Sequence, residues 1–196
     1  MANPNVVLQW NCNGLRSNRI ELEILIQEYK PAVICLQETL LDPNIENCQS
    51  DVNSLPYFVQ FRGYKGYFKC IPSGRNGIAI YVRNNVIHTP LDLKTRLQAL
   101  AVRISFQGKE FIVSNHYTSN LNDGVPTKGQ FNNIIHQFDK PFIMCGDFNA
   151  HNKLWSHDKN NKRGEELEQF MVQNHLGILN DSVKTHLNNA TKNSHC

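Results

Sequence analysis

The chain lacks any apolar run approaching the length of a membrane span. It has no C-x-x-C pair and no cysteine–histidine spacing of the zinc kind. It carries no internal repeat, no low-complexity tract and no linker-like stretch. Its opening, "MANPNVVLQW", has neither the charged start nor the long apolar stretch of a secretory signal. Together these absences argue against a helical membrane protein, a zinc module and a repeat array, and an intracellular protein is expected. One-sided charge is missing too: 20 Lys and Arg against 17 Asp and Glu leave a formal charge of +3 and a pI near 8.5. That balance permits a polyanionic partner without demanding one.

What is present is ordinary globular material. The chain has 196 residues, 40% hydrophobic and 19% charged, enough for one domain with a substantial core. Six cysteines, Cys12, Cys35, Cys48, Cys70, Cys145 and Cys196, show no disulfide framework. Cys35 and Cys145 lie inside apolar runs, where free cysteine behaves as a small hydrophobe.

Short runs rich in β-branched residues predict strands at 6–10, 32–37, 77–82, 100–106, 110–115 and 141–146. Helical spacing joins Leu22, Leu25, Ile26 and Tyr29, then Phe131, Ile134, Ile135 and Phe138, then Leu167, Phe170, Met171 and Asn174. Ser17 and Thr127 are candidate caps for the first two helices, and Gly108 with Lys109 marks a hairpin. Residues 42–77 read as surface loops around short strands near 57–61 and 67–70. Mixed strands and helices imply an α/β or α+β layered domain.

Four of these strands end in polar groups. Asn11 and Asn13 follow the first, Glu38 and Thr39 the second, Asn115, His116 and Tyr117 the fifth, and Asp147 and Asn149 the sixth. One acid after a strand is an ordinary turn residue. Several strands delivering oxygen donors at their carboxyl ends, where sheet proteins commonly build sites, are harder to explain that way. A donor set of carboxylates and amides without thiolates suits a hard cation such as Mg²⁺, which keeps waters that a phosphate ester can displace.

The blocks "QWNCNGL", "LQET" and "GDFNAHNKLW", in this order, resemble the endonuclease/exonuclease/phosphatase superfamily. With "RGEELEQFMVQNHLGILNDSVKTHLNNAT" behind them they look most like the target-nicking endonuclease domain of non-LTR, jockey-like LINE retrotransposons. The likeness runs from Val6 to Thr191. It implies a deoxyribonuclease-like sandwich of two packed mixed sheets flanked by helices. It also implies a catalytic set of Asn11, Glu38, His116, Asp147 and Asn149, substrate contacts from Asn152, Thr185 and Tyr117, and a metal held by Glu38 with Asn13. At the strand end 116–117 the register stays open: His116 stands where retroelement relatives have tyrosine, and Tyr117 is its neighbour. The implied cofactor is Mg²⁺, with Mn²⁺ as a substitute. The implied partners are double-stranded DNA and a downstream reverse transcriptase domain, with no membrane, and the implied compartment is the nucleus.

Relatives continue past the "THLNNAT" block into a strand with an S-x-I-D pattern and a final S-D-H block carrying an Asp–His dyad. On that comparison residues 1–196 read as a single domain incomplete at its C-terminus, its last strands missing and its activity impaired. Two other readings stand beside this one: a non-catalytic truncated remnant of such an element, and a phosphatase of the superfamily. The basic and aromatic residues Arg62, Lys65, Lys69 and Arg75 with Phe61, Tyr64, Tyr67 and Phe68 are either a DNA-facing surface or a solvated loop face. Trp155 either packs under the "GDFNAHN" loop or contacts DNA, packing being the expectation for a large amphipathic ring, and His151, His157, His175 and His186 show no metal-ligand spacing.

Overall fold

The computed structural model of the chain describes residues 6–47, 54–71, 76–106, 108–119, 124–155 and 159–180. Thr185, Arg75, His157 and His186 therefore lie outside the described residues. The strands fall into two consecutive sets. β1 (Val7–Asn11), β2 (Val33–Gln37), β3 (Tyr64–Lys69) and β4 (Ile78–Arg83) form one sheet in the order β1-β2-β4-β3. β5 (Ile87–Leu91), β6 (Gln98–Phe106), β7 (Lys109–Tyr117) and β8 (Phe142–Asp147) form the second, in sequence order. Each sheet has one parallel pair, β1 with β2 and β7 with β8, joined by helices α1 (Arg19–Tyr29) and α3 (Lys128–Ile135). A short helix, α2 (Asn44–Asn47), and a longer one, α4 (Lys162–Gln173), complete the elements used below.

The alternation of side chains along each strand sorts them into layers. Val33, Cys35, Ile80, Val82, Val102, Ile104 and Val113 form the layer between the sheets. Leu22, Ile34, Leu36, Phe61, Phe68 and Tyr81 form a second core outside the first sheet. Phe131, Phe148 and Phe170 pack on the helix side of the second sheet. β2 and β4 are buried on both faces, which is why they read as continuous apolar runs rather than as alternation. Cys12, Cys35, Cys70 and Cys145 are free thiols, and the Cys35 and Cys145 side chains meet between the sheets.

Several sequence expectations change in detail. β5 was not expected; its Pro90 breaks the strand pattern, and the strand sits on a sheet edge, where proline is tolerated. The stretch expected as a strand at 57–61 is instead a 3-10 turn, Tyr57–Val59, after Pro56. Asn18 rather than Ser17 precedes the first turn of α1, without a side-chain cap. Thr127 does cap α3, in a reciprocal box with Gln130. Phe138 lies beyond the end of α3 and packs against Phe142. Phe61 and Phe68 from the basic–aromatic stretch turn inward against Tyr81, and Lys69 donates to the Leu97 carbonyl at 2.9 Å.

Candidate active site

The two parallel pairs bring their carboxyl ends to one side of the molecule. Asn11 stands opposite Gln37 in one sheet, and Tyr117 opposite Asp147 in the other. The chain leaving β1 is then tied to the chain leaving β2 by backbone bonds, Cys12 to Gln37 at 3.0 Å, Gly14 to Glu38 at 2.7 Å and Leu15 to Thr39 at 3.0 Å. Across the other sheet Thr118 donates to the Asp147 carbonyl at 2.9 Å. At three of these exits a non-glycine residue is left-handed: Asn13 (φ 42°), Glu38 (φ 51°) and Asn149 (φ 47°). Asparagine tolerates that region because its short amide bonds locally, whereas for glutamate it costs on the order of 1 kcal/mol or more. Three such turns at neighbouring strand ends redirect side chains that a regular strand would send away from one another.

The side chains meet. The Asn11 amide Nδ2 donates to Glu38 Oε1 at 2.9 Å and to Asp147 Oδ2 at 2.8 Å, bridging carboxylates 109 positions apart in sequence and on different sheets. Tyr117 Oη donates to the same Glu38 Oε1 at 2.8 Å. Asp147 Oδ1 accepts the Asn149 backbone N–H at 3.0 Å, and the Asn149 amide donates to the Thr118 carbonyl at 2.8 Å. Burial, and then the bond to Glu38, raise the Tyr117 phenol above the usual tyrosine range, so it remains a donor at neutral pH. Asn13 is exposed and reaches the group through its backbone N–H, which donates to Asn11 Oδ1 at 3.2 Å.

Two residues sit elsewhere. His116 points to the opposite face of its sheet from Tyr117, because successive strand residues alternate. It is 2% exposed, stacks on Phe148 with ring centroids 5.7 Å apart, and pairs through Nε2 with Ser114 Oγ at 2.6 Å. Burial, helped by the charge of Lys69, pushes its imidazole down to about 3, so it is neutral. The open register at 116–117 thus resolves to Tyr117 as the side chain in the cluster, and His116 is corrected to a core residue. Asn152 is corrected likewise. At 1% exposed, its amide donates to Glu168 Oε2 at 2.7 Å and its oxygen accepts Leu154 N–H at 2.9 Å, so it anchors the loop to α4 and faces no open surface.

The same loop is braced throughout. Asn161 Oδ1 accepts from His151 N at 3.0 Å and Gly164 N at 2.8 Å, while its amide donates to the Asn149 carbonyl at 3.0 Å. Trp155 packs beneath and donates to the Ala150 carbonyl at 2.7 Å. Arg163 Nη2 holds the stretch of chain leaving β7 through the Ser119 carbonyl at 2.6 Å. One feature the strand-end reading missed is Gly146, where a Cβ would lie 2.1 Å from the His116 carbonyl oxygen. The glycine in "CGDFN" was its only signal in the sequence.

Among the described residues no three His, Cys, Asp or Glu side chains gather in one place. The acidic set is the pair Glu38 and Asp147. Two carboxylates with amides and a phenol, and no thiolate, fit a hard divalent cation that retains most of its waters.

The model of the endonuclease/exonuclease/phosphatase family matches residues 8–193. The chain belongs to that family. The family is metal-dependent, and its members are hydrolases. Among curated relatives, the probable RNA-directed DNA polymerase from transposon X-element of Drosophila melanogaster is 25% identical over 188 residues, 90% of this chain and 18% of that one. This family member therefore spans about a fifth of the length of the curated relatives it matches. Among solved structures, the endonuclease domain of TRAS1, a telomere-specific non-LTR retrotransposon, superposes with a TM-score of 0.68 at 24% identity, covering 89% of this chain and 74% of that one. An AP endonuclease from Leishmania major superposes with a TM-score of 0.62 at 18% identity, covering 85% and 66%. These two likenesses speak for the fold, and the fold is the two-sheet layered sandwich expected from the sequence.

Proposed function

We propose that this chain is the endonuclease domain of a non-LTR retrotransposon polyprotein. It hydrolyses one phosphodiester of double-stranded DNA and leaves a 3′-hydroxyl from which a reverse transcriptase domain farther along the polyprotein primes. The observation that carries the reading is the Asn11 amide bridging Glu38 and Asp147, with Tyr117 donating to Glu38. The relatives support the setting, since two of them are named as transposon RNA-directed DNA polymerases that are about five times longer. Chromosomal DNA as target makes the nucleus the place of action.

Glu38 would hold Mg²⁺, or Mn²⁺ as a substitute, with Asn13 assisting from the exposed turn beside it. When bound, the cation supplies neutralisation of the charge that develops on the phosphate and the leaving oxygen. The protein's own groups do the positioning. Asn11 and the Asn149 N–H each take one oxygen of Asp147 and set the orientation in which it accepts a proton from the attacking water. Tyr117 and Asn11 fix the Glu38 carboxylate from two sides. The Asn149 amide, held by the Thr118 carbonyl, lies beside Asp147, where the scissile phosphate would sit. Thr185 is assigned a phosphate contact on the resemblance alone.

Nicking of supercoiled plasmid in MgCl₂ tests the reading. Glu38→Ala and Asp147→Ala are each expected to lose at least about a hundredfold, the usual cost of removing a group that acts in the transition state. The nick should be extended directly by a DNA polymerase. Cleavage that survives both substitutions, or ends that no polymerase extends, would defeat it.

A further inference from the structure

The site is divided between the two sheets. Asn11 and Glu38 leave the first, Tyr117 and Asp147 leave the second, and every bond between these pairs crosses the gap. The layer between the sheets is mostly apolar. Away from the site the sheets are also joined by the Tyr67–His88 bond at 2.9 Å and by Lys69 to the Leu97 carbonyl at 2.9 Å. Most of the contact is nonetheless apolar, and apolar contact is non-directional. It brings the sheets together without fixing their relative position to tenths of an ångström. Hydrogen bonds of 2.8–2.9 Å at the rim need that precision.

One polar structure lies in that layer directly beneath the site. Asn115 and Gln37 are both fully buried. The Asn115 Nδ2 donates to the Leu36 and Ala79 carbonyls of β2 and β4, each at 2.9 Å. Its Oδ1 accepts from Gln37 Nε2 at 2.6 Å, and Gln37 Oε1 accepts from Gln9 Nε2 at 2.6 Å. A single amide on the second sheet is thus bonded to two strands of the first, and the chain of amides extends to a third. Asn115 precedes Tyr117 by two residues and shares its face; Leu36 precedes Glu38 by two. The Asn115 clamp and the Tyr117–Glu38 bond are successive rungs between the same two strands.

We propose that Asn115 is a positioning residue for the site: through Gln37 and the Leu36 and Ala79 carbonyls it sets how one sheet lies on the other, and so holds Tyr117 against Glu38 and Asp147 against Asn11. The inference rests on the nuclease reading for its kinetic consequence, but not for its structural one. Misplacement of reacting groups by about an ångström costs on the order of a hundredfold in rate, so loss of the clamp should appear in kcat rather than in DNA binding.

The test is the paired substitution Gln37→Leu with Asn115→Leu, which removes both buried amides together and leaves no buried side-chain donor stranded. Three quantities are measured on it: the melting temperature, kcat and KM for plasmid nicking, and the NMR shift of the Tyr117 ring at pH 7, assigned with Tyr117→Phe. The expected result is melting within a few degrees of wild type, kcat down by roughly tenfold or more with KM within about twofold, and a displaced Tyr117 resonance. Normal melting with unchanged kcat and an unmoved Tyr117 resonance would overturn the proposal. If the wild-type protein does not nick DNA, as the impaired activity expected of residues 1–196 allows, the kinetic arm bears on the nuclease reading alone, and the Tyr117 resonance decides the positioning role. If the pair does not fold, Gln37→Met, which keeps the volume and breaks only the amide chain, is read in the same way.

Discussion

Replacing Gly146 with alanine should damage both stability and cleavage, and the structure sets the size. Gly146 pairs with His116 across the parallel β7–β8 ladder, with a φ of 153°. An added Cβ would lie 2.1 Å from the His116 carbonyl oxygen, 2.8 Å from its carbon and 3.0 Å from its nitrogen. All three are backbone atoms, so no rotamer change relieves the contact. Reaching ordinary van der Waals separation requires a shift of about 1 Å or more between β7 and β8. Overpacking of that kind costs about 1–3 kcal/mol, and the unfavourable φ adds about 1 kcal/mol. The total, about 2–4 kcal/mol, is a large part of the stability of a domain of this size. Asp147 is the next residue, so the same shift moves it relative to Asn11, and nicking should fall by about a hundredfold. Urea denaturation and plasmid nicking read the two effects. Gly129→Ala is the internal control: in α3 an added Cβ meets only Thr127 Oγ1, at 3.7 Å, so the same change should be neutral or stabilise by up to about 1 kcal/mol. A Gly146→Ala protein with normal denaturation and normal nicking would refute the argument.

Three further outcomes follow from the site and its surroundings. Tyr117→Phe keeps the ring and removes the donor to Glu38, and should lower kcat for nicking by about tenfold to a hundredfold, while His116→Gln should leave it within a few-fold; the reverse order would return His116 to the site. His116 titrates at about 3 when folded against about 6.5 when unfolded, so its contribution is complete above pH 6.5 and is lost as pH falls toward 3. Unfolding free energy should therefore drop by up to about 1.4 kcal/mol per pH unit across that window, a slope that His116→Gln flattens in urea titrations at several pH values. Asn152→Ala strands Glu168 and the Leu154 N–H and should cost about 1–3 kcal/mol in urea denaturation, with KM for DNA unchanged; a raised KM with full stability would make Asn152 a substrate contact after all.

Much of this was legible from residue order. β2 and β4 stand out because both faces are buried, and α3 because Thr127 and Gln130 form a cap written in adjacent positions. The approach of Glu38 and Asp147 could be anticipated because both follow apolar runs of a kind that pairs in parallel. What residue order hid was orientation. His116 and Tyr117 differ by one position, and only the register of β7 against its neighbours decides which faces the carboxylates. Asn152 looks like a site residue by proximity, but the loop's turn and α4 fold it inward. Gln37 and Asn115 read as polar residues near strand ends, and their shared function is visible only once two sheets from different parts of the chain are stacked.

The first sheet is built wholly from residues before position 84 and the second wholly from residues after 86, so the polypeptide is partitioned at the turn between β4 and β5. Neither portion owns a complete site: one contributes an amide and a glutamate, the other a phenol and an aspartate. A nascent chain that has emerged only as far as β4 consequently holds half of the cluster, whatever its degree of order, and the Asn11–Asp147 and Tyr117–Glu38 bonds form only when the halves dock. The same partition makes the turn at 84–86 a place to sever the gene, giving two polypeptides that each carry half of the cluster and whose reunion, on the proposed function, would be read by cleavage of DNA.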